Sequence, residues 1–297
     1  MDTGGFSVEG RSSQNVQDKP LRVIVLYSAG HLGSAMILNR LLQLPAYEVI
    51  GVIKARPLDF SRAGLSKLKR HLKKVGWRFA WLLFWQRLVQ GAAYLLTLPL
   101  PSAGKRLRPA WKIAADMAIP VLQCKNINGE EALRFIHKLQ PDLLLSAYFT
   151  QILKAPVIRI PRLGVLNVHP GWLPAYKGAM AYFWVLKNGS EQAGVTLHWI
   201  DEGIDTGAII ARRSIQIQPG MTQQNVLIAT ARVGAELLSE VGEKLLQGIS
   251  IESITPEEGE REAYYPMPGE EEFANYFRRR RFFRIRDTIA SIWRWRP

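Results

Sequence analysis

The chain has 297 residues, 47% hydrophobic and 22% charged, with a net charge of +14 and one cysteine, Cys124. That length and balance exclude disorder throughout and suit one large globular domain, or one domain with appendages. A lone thiol excludes an intrachain disulfide and a cysteine-based zinc cluster, and it suits a reducing compartment.

Residues 1–20 are polar and lack the apolar run of a signal peptide, so they read as a flexible leader and the cytoplasm is the expected location. The run LRVIVLYSAG predicts a buried strand over Arg22–Tyr27. HLGSAMILNRLLQL then predicts a helix after a glycine-containing turn, and YEVIGVIKA a second strand, the opening of a parallel βαβ unit. The pattern resumes with a short strand at IPVLQC, a helix at NGEEALRFIHKL with Asn128 as its N-cap, and a buried strand at PDLLLSAY. Strands follow at GVLNVH, AGVTLHWI and GAIIARRSIQI, and TQQNVLIATARVGAELLSEVGEKLLQG forms a long amphipathic helix. The expected fold is α/β, a Rossmann-like, mostly parallel sheet with helices on both faces.

The basic residues are not spread evenly. Residues 60–115 hold twelve Lys or Arg and no Asp or Glu, and residues 278–297 hold eight Arg against Asp287. Within residues 58–112, a basic start leads into a run rich in Trp, Phe and Leu, interrupted by Arg78, Gln86, Arg87 and Gln90. That run is too broken to span a bilayer comfortably. It fits a helix lying in a membrane interface, with packing on the protein's own core or on a twin subunit as the alternatives. The segment 267–297 reads as a basic aromatic tail, a pattern that also suits nucleic acid. An anionic membrane surface and tRNA are thus both expected partners, and oligomeric state is left open.

In NVHPGWLPAYKG, Asn167 and His169 sit two apart at the end of a strand and so share a face. Together with GVTLHWIDEGIDTGAII, this run closely resembles the catalytic half of the folate-dependent formyltransferases. Their N-x-H-x-S-L-L-P-x-Y-R-G pattern is matched at Asn167, His169, Leu173, Pro174, Tyr176 and Gly178, and their V-T-x-H…D-x-G pattern at Val195, Thr196, His198, Asp205 and Gly207. The resemblance covers most of residues 21–266 apart from the helical insertion at 58–112, and it departs from the pattern at Gly171-Trp172, Lys177 and Met180.

The resemblance implies N10-formyltetrahydrofolate as co-substrate, a primary amine as acceptor and no metal. It implies Asn167, His169 and Asp205 as catalytic residues, Asp205 orienting His169 and raising its pKa. Gln151, Ile152 and Leu153, with the loop Asp201, Glu202, Gly203, Ile204, would border the folate, and Gly171, Trp172, Leu173, Pro174 and Tyr176 the acceptor. His198 would hold the loop. A methionyl-tRNA formyltransferase would be expected to carry a further C-terminal β domain, so the acceptor expected from the sequence is an amino sugar or a lipid-linked amine near a membrane. The alternatives are a tRNA-directed enzyme and a non-catalytic adaptor that keeps the fold.

Overall fold

The computed structural model describes residues 19–55, 62–97, 106–279 and 282–294. Most of the expected leader, residues 58–61 and 98–105 of the 58–112 segment and part of the arginine run lie outside the described residues.

In chain order the elements are β1 (Leu21–Ser28), α1 (Leu32–Leu41), β2 (Tyr47–Ala55), α2 (Arg62–Val75), α3 (Trp77–Thr97), α4 (Ala110–Asp116), β3 (Val121–Cys124) and α5 (Glu130–Leu139). Next come β4 (Leu143–Ala147), α6 (Ala155–Ile158), β5 (Gly164–His169), β6 (Lys177–Gly178), α7 (Ala181–Lys187), β7 (Gln192–Trp199) and β8 (Ile209–Gln216). The chain closes with α8 (Gln223–Leu246), β9 (Tyr264–Tyr265), α9 (Glu270–Arg279) and α10 (Ile285–Trp293). Seven strands form one sheet in the order β3-β2-β1-β4-β5-β7-β8. The first five in that order run parallel, and β7 lies antiparallel to both β5 and β8.

Strand alternation explains why both faces are covered. On β1, Val23, Val25 and Tyr27 join the larger core with α1 and α8, while Ile24 and Leu26 join the smaller one with Ala132 and Ile136 of α5. The long helix α8 begins in a capping box, in which Thr222 and Asn225 each accept the other's backbone N–H.

Two expectations change. Helix α5 is capped by the backbone of Gly129, whereas Asn128 staples the next loop: its Nδ2 donates to Ile152 O and its Oδ1 accepts from Lys154 N. The segment expected as a tail contains two docked helices. Phe273 of α9 stacks on Phe79 of α3, Phe282 meets the same ring edge-on, and all three are buried. α10 is tied to α8 where Gln224 Nε2 donates to Thr288 Oγ1 and Asn225 Nδ2 to Asp287 Oδ2.

The 62–97 region is helical, as α2 and α3. Among the described residues no helix is long and apolar enough to cross a membrane.

Candidate active site

β5 carries Asn167 and His169 to the carboxyl edge of the sheet, where β7 places His198 opposite Asn167 and Thr196 opposite His169. The loop between β7 and β8 returns Asp205 to the same point in a left-handed conformation, φ 53°, which Asp tolerates better than most residues. The resulting cluster is nearly closed to solvent: His169 is 4% exposed, His198 1%, and the Asp205 side chain 15%.

Partners fix the protonation pattern. His198 Nδ1 donates to the Trp199 carbonyl (2.9 Å), so in the neutral ring Nε2 is the acceptor, and Asn167 Nδ2 donates to it at 3.0 Å. An amide nitrogen has two hydrogens, and the second is left for a ligand. His169 Nε2 donates to Tyr176 O at 2.7 Å, so its basic atom is Nδ1, which faces Asp205 Oδ2 at 3.5 Å. Asp205 Oδ2 also accepts from Gly178 N (2.8 Å), while Oδ1 stands 3.6 Å from His198 Nε2. The two carboxylate–imidazole separations exceed a direct hydrogen bond.

The expected upward pull of Asp205 on His169 is present, but burial sets the net direction. Burial lowers the imidazole below its usual value, and although Asp205 and the Tyr176 carbonyl pull it back up, burial prevails. Burial pushes Asp205 upward, but His169, His198 and the Gly178 N–H outweigh it and keep the carboxyl well below the usual range. The site therefore rests as a neutral imidazole beside a carboxylate.

Two glycines make this possible. A Cβ on Gly171 would lie 2.7 Å from His169 Nε2 and 2.9 Å from Tyr176 O, so the glycine at this departure from the N-x-H-x-S pattern lets ring and carbonyl meet. Gly178 has φ +98°, and a Cβ there would sit 2.2 Å from Tyr265 O. That backbone both pairs with β9 and aims its N–H at Asp205.

The residues expected to border the acceptor do not all face the cluster. Trp172 packs against the β7–β8 hairpin, with the Arg212 guanidinium 4.4 Å over its ring and its Nε1 donating to Glu260 Oε1. Leu173 is buried, and its N–H donates to Thr196 Oγ1. Pro174 follows a cis peptide. Tyr176 stacks on Tyr265, and its hydroxyl shares a 2.7 Å hydrogen bond with Ser190.

Of the residues expected to border the folate, Gln151 is engaged with the backbone of Lys125 and Ile127. Leu153 is buried with Phe149 on the smaller core, against which Ile200 at the head of the 201–205 loop also packs. Asp201 Oδ1 accepts from Gly203 N and Thr206 Oγ1, which fixes the loop, and Glu202 pairs with Arg159 on the surface. Ile152 and Ile204 remain 62% and 43% exposed. Among the described residues no group of acids, histidines or cysteines could hold a metal ion.

A neighbouring cluster was not anticipated from the sequence. His31, at the turn after β1, stacks on Tyr148, and its Nε2 lies 3.5 Å from Tyr182 Oη. Its Nδ1 is buried without a hydrogen-bond partner. Burial, with Arg87 nearby, holds the ring at about 4. The only sequence signal was a histidine following a glycine turn.

Comparison with known proteins identifies the family. The formyl transferase family profile matches residues 102–241. Methionyl-tRNA formyltransferase of Geobacter metallireducens is 37% identical over 140 residues, 47% of this chain and 45% of that protein. The enzyme of the same name from Caldanaerobacter subterraneus is 30% identical over 206 residues, 68% and 66% of the two chains. The chain spans about half the length of most of the curated relatives it matches. A Helicobacter canadensis N-formyltransferase, solved with folinic acid and dTDP-3-aminofucose, shares the fold at a TM-score of 0.54 and 17% identity, over 83% of this chain and 71% of that one.

Proposed function

Because the chain belongs to the formyltransferase superfamily, we propose that it transfers a formyl group from N10-formyltetrahydrofolate to a primary amine. The observation that carries this reading is the convergence of Asn167, His169 and Asp205 at one sheet edge, with a committed Nε2 and a basic Nδ1 on His169. The co-substrate supplies a formyl carbon bound to a nitrogen that can leave. Asn167, oriented by His198, presents its second N–H to the carbonyl oxygen as a fixed donor that needs no change of charge. His169 Nδ1 takes the proton the attacking amine releases, and Asp205 stabilises the imidazolium so formed. The same proton on Nδ1 is available to the departing nitrogen. Ile152, Ile204 and the 201–205 backbone border the folate.

For the acceptor, the curated relatives support the α-amine of methionyl-tRNA. The amino-sugar or lipid-amine acceptor expected from sequence is supported by likeness of fold alone, so the comparisons favour the tRNA alternative over it. The test supplies labelled N10-formyltetrahydrofolate with methionyl-tRNA, nucleotide-linked amino sugars and aminophospholipid in separate reactions and follows label into each. Label in methionyl-tRNA is the expected result. Label in an amino sugar or lipid alone would reject the tRNA reading, and label in no acceptor would reject the transferase itself.

A further inference from the structure

Helix α3 breaks the ordinary rule for a surface helix. Its inner side is buried through Phe79, Ala93 and Tyr94, which join the main core. The outer side should then be polar. Instead it exposes Trp77 (69%), Trp81 (55%), Phe84 (53%) and Trp85 (44%), followed by Leu88, Leu95 and Leu96. These positions follow helical spacing, and at about 1.5 Å per residue they extend along nearly 30 Å of helix. The rings of Trp81, Phe84 and Trp85 lie within 5.4 to 6.4 Å of one another, so the patch is contiguous. Patches of this kind on a folded chain mark a surface that is covered by something.

The surrounding charge identifies the cover. Leu72 at the end of α2 lines a groove with Trp77, Ala80, Trp81 and Phe84, and exposed Lys69, Arg70, Lys73 and Lys74 flank that leucine. No Asp or Glu occurs anywhere in residues 60–115. α10, which packs along α3, exposes Ile285, Ile289 and Trp293 beside Arg286 and Arg294.

A second copy of the chain would bring the same cations, and the acids nearest them, at the start of α9, already lie beside Gly76 and Arg78 of their own copy. A nucleic acid needs cations along its phosphate track, yet the stripe itself offers Arg78 and Arg87 among seven apolar side chains. An anionic bilayer satisfies both halves of the pattern: Trp, Phe and Leu enter the headgroup–acyl boundary, and Lys and Arg meet the phosphates.

We propose that the outer face of α3, with the cations of α2 and the exposed stripe of α10, docks the protein on the surface of an anionic phospholipid bilayer, with α3 lying in the plane of the interface. Arg87 Nη1 donates to Ala29 O in the turn after β1. The helix therefore borders the same carboxyl edge of the sheet that carries His169, and docking sets the active site beside the membrane surface.

The test is sedimentation of the full chain with sucrose-loaded vesicles of phosphatidylcholine alone and of phosphatidylcholine mixed with phosphatidylglycerol. Brominated acyl chains serve as quenchers of tryptophan fluorescence. The wild type is expected to sediment with the mixed vesicles and to be quenched there. Trp81→Ala/Phe84→Ala/Trp85→Ala and Lys73→Glu/Lys74→Glu should each weaken partitioning by roughly tenfold or more. All five side chains are exposed, so far-ultraviolet circular dichroism should be unchanged.

Wild-type protein that stays in the supernatant would overturn the proposal. So would sedimentation that neither variant weakens, a dimer that the aromatic variant dissociates without any vesicle binding, or tRNA retention lost in the aromatic variant while vesicles are ignored. Vesicle binding is read without turnover, so a chain that transfers no formyl group still answers the question.

Discussion

Asp205→Asn isolates the electrostatic part of the site. The amide keeps an oxygen for the Gly178 N–H and removes a charge 3.5 Å from His169 Nδ1. At an effective dielectric of about 20, opposite unit charges at that separation attract by roughly 5 kcal/mol. With the Asp205 side chain 15% exposed, part of this is already met by water. A realised loss of about 3–4 kcal/mol against the imidazolium-bearing transition state lowers kcat/KM roughly 10²- to 10³-fold. The assay is the pH profile of kcat/KM with the acceptor at sub-saturating concentration, beside a thermal melt. Burial already holds His169 below its usual value and Asp205 opposes it, so removing the carboxylate lowers the imidazole further. The acid limb should move to lower pH as the plateau falls, and the melting midpoint should shift by only a few degrees. A variant of near wild-type kcat/KM, or an acid limb displaced to higher pH, would refute the reasoning.

Three other perturbations separate site from scaffold. His31 titrates at about 4 in the fold against about 6.5 when unfolded, so between those values the unfolded chain alone takes up the proton. Stability should fall as pH drops through that window, by up to about 1.4 kcal/mol per pH unit, with no further loss from this group below it. His31→Phe keeps the stack on Tyr148 and should flatten that slope in urea titrations, and an unaltered slope would contradict it. Gly171→Ser adds a side chain where a Cβ meets His169 Nε2 at 2.7 Å; displacing the ring should cost about 10²-fold in kcat, and equal or faster turnover would show that the close approach is unimportant. Thr222→Ala removes the α8 cap and should cost roughly 1–2 kcal/mol in chemical denaturation with kcat intact; undiminished stability would show that the cap contributes nothing.

Much of this architecture is local and therefore legible from sequence. Runs such as LRVIVLYS and GVLNVH are long enough, and alternate or saturate clearly enough, to read as strands, and the i, i+2 spacing places Asn167 and His169 together. Legibility ends where partners are distant in sequence. Four consecutive arginines make residues 267–297 read as a basic aromatic tail, because Phe273 declares itself a core residue only when Phe79, almost 200 positions earlier, is set against it. Asn128 had the residue type of an N-cap, but its amide serves Ile152 and Lys154 across a loop. The upward pull of Asp205 on His169 can be read from the motif, whereas the extent of burial, which sets the net direction, cannot. The commitments of His169 Nε2 to a carbonyl and of Asp205 to a glycine N–H are backbone contacts, which no side-chain pattern announces.

The most direct measurement is the initial rate of tetrahydrofolate release from N10-formyltetrahydrofolate, followed spectrophotometrically with methionyl-tRNA as acceptor, for wild type and His169→Ala side by side. Acceptor-dependent release by the wild type, reduced to background in His169→Ala while both chains melt alike, is the predicted result. Equal release by the two proteins, or none by either despite measurable folate binding, would contradict the site proposed for formyl transfer.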